Sequence, residues 1–118
     1  MKPSTNWKRG IAPMDKYQIV ITPKARNDLI DIGDYISFIL LEPETSEKFI
    51  KGLRRSISQL QYFPQKFPTI QDYILKNHNI HYMPYKNYFV FYLVENEKKQ
   101  VIILRVGHKN RNWKNILL

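Results

Sequence analysis

The sequence predicts a two-layer α+β domain in which a helical hairpin packs on a mainly antiparallel four-stranded sheet, in the order β-α-α-β-β-β. Two segments repeat apolar residues at spacings of three and four, which is typical of amphipathic helices. Four short runs are rich in β-branched and aromatic residues, which favours strands. Only two or three residues separate the helical segments, so they are expected to form an antiparallel hairpin covered by the sheet.

The chain is long enough for one folded domain and too short for two, with 118 residues of which 43% are hydrophobic. It contains no cysteine, which excludes disulfides and thiolate metal sites and fits a reducing cytoplasm. No apolar run approaches the roughly 18–20 residues that cross a bilayer, so we expect a cytoplasmic protein without membrane attachment. Residues 1–14 lack periodicity, so we interpret them as a flexible arm before a domain of residues 15–118.

The first strand and the first helix meet at a predicted cap. Residues 17–21 alternate and are rich in β-formers, which predicts a strand. Thr22 then serves as the N-cap and Pro23 as the first helical residue, and Leu41-Glu42-Pro43 ends the helix. Gly33 weakens this helix by about 1 kcal/mol relative to alanine, so close packing is expected there. The buried face is predicted to carry Ala25, Leu29, Ile32, Ile36 and Ile39.

The second helix is predicted to begin near Pro43-Glu44 and to stop before Phe63-Pro64. Its first turn contains glutamates, which the positive end of the helix dipole favours. Basic residues follow the outer side of the helix, where solvent is expected. The apolar face is predicted to carry Phe49, Leu53, Ile57 and Leu60.

Three strands follow an irregular stretch over residues 63–79. The first runs from Ile80 to Met83 and is expected to end at Pro84. The second covers residues 88–94, the third covers residues 100–106, and a polar hairpin turn joins them. Successive side chains of a strand point to opposite faces. The second strand is therefore expected to pack one face on the helices and to leave tyrosines on the open face.

The charge pattern points to an anionic partner. The net charge is +9, which favours a polyanion such as RNA, DNA or a ribosome, or an acidic protein. No acidic residue follows Glu97, and the end of the last strand carries Arg105, His108, Lys109 and Arg111. Clustered cations beside a titratable imidazole can hold a phosphodiester and move a proton next to it. Nucleic acid is therefore the first substrate class to consider.

Four segments in this order resemble the RelE/ParE family of bacterial type II toxin–antitoxin toxins, and the resemblance covers residues 17–118. The four segments are the opening strand with Thr22-Pro23-Lys24-Ala25 and Asp28-Leu29, the second helix running into Phe63-Pro64, the run Lys86-Asn87-Tyr88-Phe89-Val90-Phe91-Tyr92, and Ile103-Leu104-Arg105-Val106 with His108-Lys109-Asn110-Arg111-Asn112-Trp113. The family implies a small basic toxin that an adjacent acidic antitoxin protein wraps and neutralises. The shared fold cannot by itself decide what such a toxin attacks.

The resemblance implies three alternative functions. RelE-like members cut messenger RNA in the ribosomal A site, which would make this chain a ribosome-dependent, metal-independent mRNA endoribonuclease that blocks translation. ParE-like members poison DNA gyrase and need no nuclease residues. An inactive toxin could also persist as an antitoxin-bound co-repressor. The residues at the end of the last strand favour the first alternative, with the ribosome and mRNA as partners.

Cutting RNA without a metal needs a base for the 2′-hydroxyl, cations at the phosphate and an acid for the leaving oxygen. By the resemblance, His108 matches a histidine or tyrosine near the end of the last strand, and Arg105 matches an arginine often seen there. His108 would transfer the proton, and Arg105 would hold the scissile phosphate. The remaining candidates for substrate contact are Lys109, Arg111, Lys86 and His81.

The sequence departs from the RelE-like pattern in two places, and some of the proposed site residues have alternative structural roles. Many relatives place an arginine near the position of His81, and no glutamate of the predicted sheet is placed to act as a base. Arg105 could instead pair with an acid such as Asp28 or Asp31. Trp113 is expected to anchor the tail on the domain. No cofactor is implied, and the histidines lack the spacing of a metal site.

Overall fold

A computed structural model describes residues 16–117, in which two helices pack on one face of a four-stranded sheet, as the sequence predicts. The proposed arm of residues 1–14 lies outside the described residues. The strands are β1 (Gln18–Ile21), β2 (His81–Tyr85), β3 (Tyr88–Glu95) and β4 (Gln100–His108), and the helices are α1 (Pro23–Asp34), α2 (Pro43–Gln59) and the short α3 (Trp113–Leu117). Helix α3 is absent from the prediction because its five residues show no helical repeat.

The sheet has the order β1-β4-β3-β2, in which β1 pairs parallel with β4 and the other pairs are antiparallel. Strand β2 therefore lies at an edge, and it continues through Pro84, so the prediction that it ends there is wrong. The Tyr82 nitrogen donates to the Pro68 carbonyl, on the side away from β3. The nitrogen of Pro84, two residues later, also points away from β3. Its missing N–H therefore removes no hydrogen bond between β2 and β3.

Helix α1 begins as predicted. The Thr22 hydroxyl accepts a hydrogen bond from the Ala25 nitrogen at 3.1 Å, and Pro23 occupies the first helical position. Gly33 contacts α2, because the Ser46 hydroxyl donates to the Gly33 carbonyl at 2.7 Å, but the packing is ordinary, since a Cβ at Gly33 would lie 3.5 Å from Ile50. This contact brings the two helices together next to the turn that joins them.

The predicted buried face of α1 is correct except at its end. Ala25, Leu29, Ile32 and Ile36 are buried, whereas Ile39 is 68% exposed. A π-helical turn over Tyr35–Ile39 follows α1. The wider turn contains one more residue than an α-helical turn, so it rotates Ile39 away from the sheet.

The two faces of β3 are the reverse of the expectation. Val90 and Tyr92 are buried in the core between the sheet and the helices, and Tyr88 packs against the same core. Phe89 and Phe91 lie on the opposite face, where the ring of Trp113 lies 4.3 Å from that of Phe91. The expectation that tyrosines line the open face is therefore wrong, while the predicted anchoring by Trp113 is confirmed.

Tyr92 is fully buried and joins the sheet to the irregular segment after α2. Its hydroxyl donates to the Pro64 carbonyl at 2.9 Å, and its ring stacks on that of His81 at 4.9 Å. Burial raises the pKa of Tyr92 to about 12, because the phenolate would lose its hydration.

The alkaline titration of the protein should reveal this buried phenol. An unfolded tyrosine ionises near pH 10, so the neutral Tyr92 contributes stability that is complete below pH 10 and is lost as the pH rises towards 12. Burial also raises the pKa of Tyr88, so absorbance at 295 nm should show more than one late ionisation, and the Tyr92→Phe variant should lack the step near pH 12. A step of equal size near pH 12 in the Tyr92→Phe variant would contradict the assignment.

Candidate functional site

The candidate residues nearest the end of β4 surround the turn between β2 and β3. His108 is the last residue of β4 and pairs with Tyr88 across the ladder, with their ring centroids 5.6 Å apart. Lys86 lies in the turn with a φ of 52°, and its ammonium group lies 5.6 Å from the Phe49 ring of α2. His108 and Lys86 thus share the side of the sheet that carries the helices.

The His108 imidazole is half-buried and forms a hydrogen bond with the backbone two residues later. Its Nδ1 accepts a hydrogen bond from the Asn110 nitrogen at 3.2 Å, so the neutral ring carries its proton on Nε2. Within residues 16–117, no carboxylate forms a hydrogen bond or an ion pair with this ring. His108 can therefore exchange a proton at Nε2, but it has no carboxylate to orient it as a base.

Arg105 faces inward and is bound at both ends of its guanidinium fork. Its Nε donates to Asp28 Oδ2 at 2.7 Å and its Nη2 donates to Asp28 Oδ1 at 2.9 Å. The Val106 nitrogen donates to the same Oδ2 at 2.9 Å. The Asp28 and Arg105 side chains are only 9% and 20% exposed, and the hydrogen bond that Arg105 donates to Asp28 raises the pKa of Arg105.

This ion pair favours a structural role for Arg105 over the predicted contact with the scissile phosphate. The Asp28 carboxylate already occupies Nε and Nη2, which form one of the two edges with which a guanidinium can grip a phosphate. The alternative, pairing with Asp28, is the arrangement in the structure. Because Asp28 lies in the middle of α1, the pair fixes this helix to the end of β4.

His81 is buried beneath the segment that follows α2. The residue is 8% exposed, and its Nδ1 lies 2.7 Å from the Phe67 carbonyl. The segment after α2 folds over the outer edge of β2 and bridges His81 through Thr69. Burial under this segment favours a structural role for His81 over substrate contact.

Lys109 and Arg111 lie on the other face of the sheet from His108. The Lys109 ammonium lies 5.4 Å from the Phe89 ring, and the Arg111 guanidinium lies 5.6 Å from the Trp113 ring. The backbone turns sharply after β4, since the Arg111 nitrogen donates to the His108 carbonyl at 3.2 Å. The predicted cationic cluster is thus divided between two faces.

A groove of about 440 Å³, which the sequence analysis does not predict, lies beside Arg111 on this second face. Its floor is aromatic, with Phe89 and Phe91, and Trp113 forms one wall. The Trp113 Nε1 is buried and makes no hydrogen bond within residues 16–117. The alternation of phenylalanines along β3, followed by a tryptophan after β4, is the only sequence signal for this face.

Neither a metal centre nor a membrane span is found in the part of the chain that the structure describes. No group of three or more His, Cys, Asp or Glu side chains there could hold a metal ion. No described helix combines the length and the apolar character that crossing a bilayer requires.

The chain matches the family model for the ParE toxin of the type II toxin–antitoxin system parDE over residues 19–113. No curated protein matches it. Among solved structures, it is similar to the chromosomal ParDE system of P. aeruginosa with a TM-score of 0.66 and 19% identity, covering 80% of this chain and 97% of that chain.

Two further structures show the same fold. The toxin–antitoxin complex RelBE2 of Mycobacterium tuberculosis matches with a TM-score of 0.58 and 19% identity, covering 86% of this chain and 100% of that chain. A substituted form of the E. coli toxin RelE in the free state matches with a TM-score of 0.60 and 12% identity, covering 86% and 92%. At these identities the likeness concerns the fold alone.

Proposed function

We propose that this chain, which belongs to the ParE toxin family of type II toxin–antitoxin systems, arrests growth by binding DNA gyrase and not by cutting RNA. The observation that carries this proposal is the bidentate contact between Arg105 and Asp28. It engages the guanidinium that a nuclease would need at the phosphate. Inhibition of gyrase by binding requires no general base, no general acid and no phosphate clamp.

The surroundings of His108 support the same choice. Metal-free cleavage of RNA needs two proton transfers and a cation at the phosphate. His108 offers one proton at Nε2, without a carboxylate beside it in the described part of the chain. Lys109 and Arg111 lie on the other face of the sheet, and His81 is buried.

A ribosome-dependent ribonuclease is the second candidate function, and one observation favours it. His108, Tyr88 and Lys86 lie together at the end of the sheet, so an imidazole, a phenol and an ammonium group share one region. Such groups could transfer a proton and neutralise charge on a phosphate. In this mechanism Arg105 would position β4 against α1 and would not touch the substrate.

An antitoxin protein is the proposed partner in either case. The P. aeruginosa structure is of a ParDE toxin–antitoxin system, and the M. tuberculosis structure is of a toxin–antitoxin complex. The net charge of +9 on this chain suits an acidic antitoxin that covers the basic surface. No cofactor is needed for the proposed binding function.

Assays of gyrase and of mRNA with the same purified protein should separate the two functions. We expect the protein to inhibit supercoiling by purified gyrase and to leave mRNA intact in a reconstituted translation reaction. The His108→Ala variant should inhibit gyrase within about twofold of the unsubstituted protein, because a single surface substitution usually changes a free energy by no more than about 0.5 kcal/mol. The opposite outcome would establish the ribonuclease. Supercoiling would be normal at saturating toxin, and mRNA would be cut at a rate that falls on the order of 10²-fold in the His108→Ala variant.

A further inference from the structure

An exposed apolar surface covers the turn between α1 and α2. We call it the hairpin tip and define it by Tyr35, Phe38, Ile39, Leu40 and Leu41. Phe38, Ile39 and Leu41 are 69%, 68% and 79% exposed. Single exposed apolar residues are ordinary, but a contiguous group of large ones marks an interaction surface.

The backbone of the hairpin tip turns these side chains outward. The Leu40 nitrogen donates to the Tyr35 carbonyl at 3.1 Å and the Glu42 nitrogen donates to the Ile36 carbonyl at 3.1 Å, which are the bonds of a widened turn. Leu41 then adopts a φ of 56°, in the left-handed region that favours glycine. π-helical turns and strained residues that are not glycine recur at functional sites.

Acidic residues flank the hairpin tip in the sequence and form a rim of opposite charge to the rest of the protein. Six of the ten acidic residues lie between Asp28 and Glu47, and that segment contains no Lys or Arg. All nineteen basic residues lie elsewhere in the chain. Asp28 is bound to Arg105 and Glu47 lies 3.8 Å from Lys51. Of these six acids, Asp31, Asp34, Glu42 and Glu44 form no ion pair among residues 16–117.

We propose that the hairpin tip is the surface with which this toxin docks on its target protein, at a face where Lys and Arg surround apolar side chains. The proposal rests on the proposed function, since it takes gyrase as the protein that carries this face. A protein that binds DNA has basic surfaces to offer. The acidic residues around the hairpin tip disfavour the alternative partners of this surface. They would repel an acidic antitoxin or a nucleic acid, and two copies in contact through their hairpin tips would bring like charges together.

Three variants of the hairpin tip test this docking surface. The double variant Phe38→Ser/Ile39→Ser removes the most exposed apolar side chains of the π-helical turn. Leu41→Gly removes a third and at the same time relieves the left-handed backbone, so its melting temperature should not fall. Asp31→Lys reverses one charge of the rim. Tyr73→Ser is the matched control, because Tyr73 is 85% exposed and lies outside the hairpin tip.

Binding to the purified gyrase holoenzyme without DNA, measured by interferometry, should separate these variants. We expect Kd to rise at least tenfold for the double variant and several-fold for Leu41→Gly, whose melting temperature stays equal or higher. Asp31→Lys should bind more weakly and with less dependence on salt. Tyr73→Ser should bind as the unsubstituted protein does. Inhibition of supercoiling should follow the same order.

Three results would overturn the proposal, each in a distinguishable way. Equal binding by all variants, with inhibition by the unsubstituted protein, would remove the docking surface and leave the gyrase function intact. No binding or inhibition by the unsubstituted protein would remove the proposed function together with its partner. Sedimentation of the unsubstituted protein as a dimer that Phe38→Ser/Ile39→Ser converts to a monomer would make the hairpin tip a contact between two copies.

Discussion

The Asp28→Ala variant is expected to lose about 3 kcal/mol of the free energy of unfolding, near the lower end of the range for breaking a buried ion pair. The substitution leaves the Arg105 guanidinium and the Val106 nitrogen without the acceptor that both now use. Arg105 retains some contact with solvent, since its side chain is 20% exposed, and this limits the loss. A domain of this size has roughly 5–15 kcal/mol of stability, so the variant should unfold at a clearly lower denaturant concentration.

A matched set of variants distinguishes this ion pair from a general effect on α1. Asp31→Ala removes an exposed acid from the same helix and should change the stability by less than about 0.5 kcal/mol. Asp28→Asn keeps an acceptor for the Val106 nitrogen and should lose less than Asp28→Ala. Combining Asp28→Asn with Arg105→Met removes both charges, so the loss should be smaller than the sum of the single losses. Additive losses would show that the pair contributes no coupling.

The Gly107→Ala variant is expected to detach the C-terminal segment and to lose about 1–3 kcal/mol, as overpacked sites do. A Cβ at Gly107 would lie 2.5 Å from Cη2 of Trp113 and 3.3 Å from Nη1 of Arg111. The indole ring is rigid and packs on Phe91 on its other side, so it must leave its position. Helix α3 begins at Trp113 and should move with it.

Tryptophan fluorescence can follow this displacement if Trp113 is the only indole. The sequence has two tryptophans, so the measurement uses a Trp7→Phe background. Gly107→Ala should shift the emission to the red, because Trp113 becomes solvated. Gly33→Ala is the control, since a Cβ there meets Ile50 at an ordinary 3.5 Å, and alanine should stabilise α1 by up to about 1 kcal/mol. Unchanged emission in Gly107→Ala would show that the indole can adapt.

The elements that local rules govern were predictable from the sequence. Apolar spacing located both helices, and the Thr22-Pro23 pair located the first turn of α1, because capping depends on residues that are neighbours in the chain. The four strands followed from β-formers between turn residues. The wrong boundaries arose from tertiary placement. Pro84 continues a strand because β2 is an edge, and no local pattern reports which strand is an edge.

The candidate site was less predictable because it depends on which face each residue occupies. Successive residues of a strand point to opposite faces, so a shift of one residue along the strand moves a side chain to the other face. The pairing of β3 with β4 contains such a shift between Phe91 and Tyr92. The pairing of Arg105 with Asp28 was an alternative from the sequence, since a cation and an acid were available. The sequence could not choose it over phosphate binding, because that choice depends on α1 crossing the end of β4.

The parallel pairing of β1 with β4 constrains when the protein can fold during synthesis. The hydrogen bonds that fix β1 and α1 join residues 77 to 82 positions apart, such as Thr22 to Leu104 and Asp28 to Arg105. Contacts of such long sequence separation form slowly, and none of them can form before β4 has left the exit tunnel. The first strand and helix of a nascent chain must therefore wait for the last strand, and the toxin acquires its folded shape only after β4 has emerged from the ribosome.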